Sequence, residues 1–120
     1  MSASWWLGNL LAFSVQVALV VALAGQGRYA DVVAQARKAL EFDPSHLATR
    51  YHLANGLALT GQLGEAMSTA RLGLQPKPDE PALHRLLRAI RLASLPWPAS
   101  MIGRWLLRRG KFEERETGEH

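Results

Sequence analysis

Cysteine is missing from these 120 residues, which removes disulfides, thiolate metal sites and cysteine nucleophiles from consideration and leaves the redox compartment open. Side-chain charge is missing from Met1 to Gly27, and acid is missing from Pro81 to Phe112. Histidine pairs at the i, i+4 spacing of a metal-binding helix are also missing, since the four fall at His46, His52, His84 and His120. Gly56 to Gly61 imitates the glycine spacing of a phosphate loop, but Gln62 stands where the lysine belongs. No serine sits in a nucleophile-elbow context. Asp79-Glu80 lies before a proline, the position of a helix start more than of an acid–base pair. These absences argue against an enzyme and against a cofactor or metal. The length leaves room for one small domain, or for an anchor and a smaller folded unit.

What is present is segregated. Seven cations (Arg85, Arg88, Arg91, Arg104, Arg108, Arg109 and Lys111) occupy the acid-free stretch, and the sign then reverses at Glu113, Glu114, Glu116 and Glu119. An uncharged apolar head, a mixed middle and a basic rear suit contact with a membrane better than free solution.

The middle repeats with a period of 34. Gly27 falls over Gly61, Ala39 over Gly73 and Pro44 over Pro78, while upstream Leu19 falls over Leu53 and Leu23 over Leu57. A third unit begins at Pro81. Ser45 is placed to cap a helix over about His46 to Thr60 whose apolar face is Leu53, Leu57 and the alanines between, and Gly61 ends it. A second helix over about Gly64 to Leu74 carries Ala66, Met67, Ala70 and Leu74 and stops before Pro76 and Pro78. Asp79, Glu80 and Pro81 open a third helix with the stripe Leu83, Leu86, Leu87 and Ile90, and Arg28 to Phe42 reads as a helix with Val32, Val33, Ala36, Ala39 and Leu40 inward.

A 34-residue period with Leu53, Ala54, Leu57, Ala66, Ala70 and Pro78 at the marked positions resembles the tetratricopeptide repeat, over roughly residues 13–95, although Arg50 replaces the usual tryptophan. The expected fold is all-α: a helix-turn-helix solenoid preceded by an apolar, transmembrane helix. Its parts are the head at 1–25, repeats at 26–95, a basic amphipathic segment at 96–112 and an acidic tail at 113–120.

The head carries 20 residues from Trp5 to Ala24 with only Asn9, Ser14 and Gln16 clearly polar, roughly 30 Å of helix. Trp5 and Trp6 suit a headgroup interface, and Asn9 and Gln16 share a face that suits contact with a neighbouring span. Two alternatives stay open: the first helix of repeat one buried in a complex, and a cleaved signal. The cations Arg28, Arg37 and Lys38 downstream of the head place the repeats on the cytoplasmic side of a single-pass protein. In the rear, a helix over about Ala99 to Phe112 gathers Met101, Ile102, Trp105 and Leu106 on one side and Arg104, Arg108 and Lys111 on the other. With Trp97, that pattern suits an anionic lipid interface, or a last solenoid helix with snorkelling arginines. Nucleic acid is not expected, because no recognition-module signature accompanies the cations.

The resemblance implies a concave groove at Ala48, Tyr51, Asn55, Ala58 and Leu59, and on the next helix at Ala82, Arg85, Ala89 and Leu92. There Asn55 would bond a peptide backbone, and Tyr51 and Arg85 would add a ring and a cation. With the head in a bilayer, one complete repeat and two halves remain, fewer than the three usually needed for a continuous core. The expected function is therefore a non-catalytic, membrane-anchored scaffold or accessory subunit that binds a protein partner, lipid or a second copy helping to complete it. The alternative is a soluble adaptor for an extended peptide, with residues 5–24 buried in an oligomer. A regulatory subunit of a membrane enzyme whose active site lies on another chain is a third reading.

Overall fold

The computed structural model describes residues 3–110, the side chains of residues 3–7 and of Asn9 excepted. Among these residues there are six helices and no strand: α1 (Ala3–Gly25), α2 (Tyr29–Phe42), α3 (Leu47–Leu59), α4 (Leu63–Leu74), α5 (Pro81–Ala93) and α6 (Ala99–Arg109). The helices of the middle fall within a residue or two of the expected limits.

The period of 34 is visible in the backbone. At the end of α1, Arg28 N–H donates to Leu23 C=O and Gly27 N–H to Ala24 C=O; at the end of α3, Gln62 N–H donates to Leu57 C=O and Gly61 N–H to Ala58 C=O. Both are the reversal in which a left-handed residue closes a helix, and both need glycine, with φ of 74° at Gly27 and 92° at Gly61. Each sends the next helix back antiparallel, giving the hairpins α1–α2 and α3–α4.

Two caps differ from expectation. His46, not Ser45, caps α3, its ring nitrogen accepting from Thr49 N–H at 3.3 Å, while Ser45 turns back to the carboxylate of Asp43. Glu80, not Asp79, caps α5 by accepting from Ala82 N–H, with Pro81 at the first helical position. In both cases the residue directly before the helix has the extended backbone a cap requires.

The core is a column of small and aliphatic side chains between the helices: Val32, Ala36, Leu53, Ala54, Leu57, Ala66, Ala70, Leu83, Leu87 and Ile90 are buried. Alanine at the crossing positions lets neighbouring helices approach closely. First helices α1, α3 and α5 form one layer, and α2 and α4 the other.

α1 packs as the first helix of its hairpin, against α2 and α3, with Val20 fully buried and Phe13, Gln16, Val17, Leu23 and Ala24 half-buried. Its opposite side is uncharged and open to solvent, with Leu11 65% and Val15 56% exposed and Leu19 beside them. The transmembrane helix expected of the head is not supported: among the described residues, no helix is long and apolar enough to cross a membrane. The stretch from Trp5 to Ala24 includes side chains outside those described.

α6 departs from the alternation. It packs on α5 and touches α3 but not α4, so it lies across the first-helix layer and not beside α4 where a third hairpin would return it. The register explains why: 34 residues after Gly61 stands Leu95, which cannot readily take the left-handed backbone of the earlier turns, and Pro96-Trp97-Pro98 follows.

Candidate functional site

α6 lies across the exposed side of the first-helix layer and divides it in two. On one side, a groove of about 930 Å³ is walled by Val17, Val21 and Ala24 of α1, Ala48 and His52 of α3, and Arg108 and Arg109 near the end of α6, with Tyr29 and His46 also at its edge. On the other, a smaller groove of about 400 Å³ lies between Tyr51, Arg85, Ala89 and Leu92 and the α6 residues Leu106, Leu107 and Arg109.

α6 is seated by very little of its surface. Gly103 and Leu107 are its buried residues. At Gly103 the two helices approach backbone to backbone: a Cβ there would stand 2.7 Å from Ala89 O and 2.7 Å from Ala93 Cα. Further along, a Cβ on Gly110 would meet the Tyr51 hydroxyl at 2.6 Å, so the end of α6 rests on that phenol. Burial raises the Tyr51 hydroxyl to about 12, against a smaller lowering by the Arg85 guanidinium.

The larger groove is electrostatically one-sided. Arg108 and Arg109 are the charged residues that line it, and no carboxylate does. His52 stands edge-to-face against Tyr51, ring centroids 5.5 Å apart; its Nδ1 is buried without a hydrogen-bond partner, and burial lowers its pKa, so the imidazole is held neutral. His46 is fixed by Thr49 and by an edge-to-face contact with Phe13 at 5.2 Å. An apolar floor with two fixed imidazoles and a cationic lip suits a peptide segment that carries apolar side chains and a negative charge.

The tetratricopeptide repeat pattern matches residues 23–90, more than half the length. The chain belongs to the tetratricopeptide repeat family. Nothing among curated proteins or solved structures matches it. Repeats of this family are protein-interaction modules.

The side chains expected at the repeat groove fall in different places. Tyr51, Arg85 and Ala89 are brought together, but around α6: Tyr51 is 3% exposed beneath Gly110, Ala89 is buried beneath Gly103, and Arg85 stays exposed at the rim. Asn55 is buried at 6% exposure with Oδ1 unpartnered, and it lines neither groove. Leu59 is half-buried against the core. The residues of the larger groove on α1 went unread, although the repeat points to them, since Val17 and Val21 stand 34 residues before Tyr51 and Asn55.

Of the positions expected at a membrane, the Trp5, Trp6 and Asn9 side chains and Lys111 lie outside the described residues. Gln16 turns out to lie on the packed side of α1, with Oε1 buried and unpartnered, and not on the outer face where a neighbouring span would meet it. Trp97 and Trp105 are 72% and 52% exposed, and Arg104 and Arg108 are exposed beside them.

Proposed function

We propose that this chain is a non-catalytic scaffold that holds a segment of a partner protein in the groove between α1, α3 and α6. The observation that carries the reading is that groove: an apolar floor of Val17, Val21 and Ala48, a cationic lip at Arg108 and Arg109, and room for several side chains. A photo-crosslinking residue at Ala48 should join the chain to its partner, and the same residue at Leu72, exposed on α4, should not. Equal yields at the two positions would remove the groove from the account.

The outer face of α1 supports a second part of this reading. A helix face in water normally presents polar side chains, and Leu11, Val15 and Leu19 present none, so a bilayer or a companion chain covers them in the working assembly. The adaptor with α1 buried against a companion chain fits a structure in which, among the described residues, no helix is long and apolar enough to cross a membrane; the single-pass anchor, with the repeats on the cytoplasmic side, rests on the uncharged head and the cations after it alone. Alkaline carbonate extraction separates the two coverings. Retention in the membrane pellet supports the anchor; release into the supernatant supports the adaptor, with α1 buried against another chain.

A further inference from the structure

The amphipathic pattern of α6 leaves two placements open, an apolar side packed inward as a last solenoid helix or one turned outward to a lipid interface. The fold turns it outward. With Gly103 and Leu107 seated on α5, the residues facing solvent are Met101, Ile102 and Trp105, continued by Trp97 and Leu95 before the helix. Arg104 and Arg108 flank this face, and the Arg109 guanidinium lies 4.7 Å over the Trp105 ring. Among the described residues, Arg85, Arg88, Arg91, Arg104, Arg108 and Arg109 take part in no ion pair; the three ion pairs, Arg28–Asp31, Arg37–Glu65 and Lys77–Glu80, all lie before this stretch. No acid occurs between Pro81 and Phe112, and the sequence reverses sign only from Glu113 onward.

We propose that the outward face of α6 is a docking surface for an anionic lipid leaflet, the helix lying in the plane of the interface. Met101, Ile102 and the indoles of Trp97 and Trp105 enter the boundary between headgroups and acyl chains, where tryptophan is favoured. Arg104 and Arg108 remain at the depth of the phosphates. Arg109, laid over Trp105, keeps its charge at the headgroups while its stem follows the ring inward. Charge complementarity selects this occupant: apolar and aromatic residues edged by unpaired cations match negative headgroups over hydrocarbon. α6 needs no rearrangement to dock, because this face is already free. Docking would also hold the larger groove, whose lip is Arg108 and Arg109, close to the membrane surface.

This surface belongs to α6 alone and stands whether or not α1 is an anchor. Because the chain has no cysteine, Ile102→Cys in the full-length protein takes a single polarity-sensitive fluorophore on the outward face. With vesicles containing phosphatidylglycerol the emission should shift to the blue, and added salt should weaken the shift. Arg104→Gln combined with Arg108→Gln should weaken partition about twenty-fivefold, from roughly fivefold for each cation near a charged surface. No shift on anionic vesicles overturns the proposal, as does an equal shift on phosphatidylcholine alone. Shielding of the label by a protein partner without lipid, in place of shielding by vesicles, also overturns it and assigns the face to protein. Insertion of α1 would tether the chain to both kinds of vesicle while leaving the label in water on phosphatidylcholine, so failure of the anchor and failure of this surface read separately.

Discussion

Gly103→Ala tests how α6 is held. A methyl group at that position would enter the backbone of α5, 2.7 Å from Ala89 O and Ala93 Cα, where ordinary contact begins near 3.4 Å. Neither neighbour is a side-chain end that can swing aside, so α6 must back away by ~1 Å, enough to forfeit a quarter to a half of the dispersion contact across the interface. Overpacking of this kind costs about 1–3 kcal/mol. The buried side chain on the other side of the balance is Leu107, whose removal from water contributes about 1.5–3 kcal/mol. The two are of similar size, so the substitution brings docking of α6 close to balance. Alanine also favours helix over glycine by about 1 kcal/mol, but that gain applies to an undocked α6 as well and does not restore the contact.

Hydrogen–deuterium exchange followed by mass spectrometry reads this locally. Peptides from α6 should exchange roughly 5- to 150-fold faster in Gly103→Ala, corresponding to a loss of about 1–3 kcal/mol, while peptides from α3 and α4 keep their protection. The Tyr51 hydroxyl, no longer under Gly110, should titrate below its folded value of about 12, toward 10. Gly64→Ala is the control: it lies in α4 with open space around its Cβ and should raise stability by up to about 1 kcal/mol. Unchanged α6 protection, or stabilisation of the kind expected at Gly64, would refute the close crossing of α5 and α6.

Three further outcomes follow from the same geometry. Asn55→Leu keeps the branched shape and removes a buried, unpartnered carbonyl oxygen, so the unfolding free energy from urea titration should rise by about 1 kcal/mol; a fall would mean that the amide has a partner essential to the fold. Burial lowers the pKa of His52 below its ordinary 6.5, so as pH falls through that value the unfolded chain takes up a proton that the folded one refuses. Stability should therefore drop on acidification, and His52→Phe should flatten that part of the urea-midpoint profile; an unchanged profile would show that His52 does not carry it. Leu11→Lys with Val15→Lys places charges on exposed positions, so helical content by circular dichroism should persist while membrane or complex association of the chain is lost; retained association would show that nothing covers this face.

Much of the fold was legible because two constraints repeat at fixed spacing. Gly27 and Gly61 mark positive-φ reversals, and alanines at the helix crossings mark close approach, so α2 to α5 fall where the period puts them. Caps were less legible: Ser45 and Asp79 are good capping residues by type, but His46 and Glu80 hold the position directly before the helix, and position decides. The groove was half legible. A register of 34 residues carries Val17 and Val21 onto Tyr51 and Asn55, yet a stretch without charge reads as a span before it reads as the wall of a groove. Nothing local shows that Asn55 is buried, because its exposure depends on how closely neighbouring helices pack around α3.

α6 shows where a repeat stops dictating. In both complete hairpins the turn is one glycine in a left-handed backbone, and the reversed helix buries its broad apolar side in the second layer. At the third turn Leu95 replaces that glycine, and the prolines after it deny the chain the same reversal. α6 is therefore delivered to the opposite side of α5, where the surface it meets is the small-residue face of Ala89 and Ala93. Such a face accepts a glycine and one leucine, not two indoles. The larger apolar residues then have only the outside left, and the arginines, which need water or an anion, border them there. The turn at Leu95 to Pro98 thus settles both what fills part of the groove and which face of the last helix meets the surroundings.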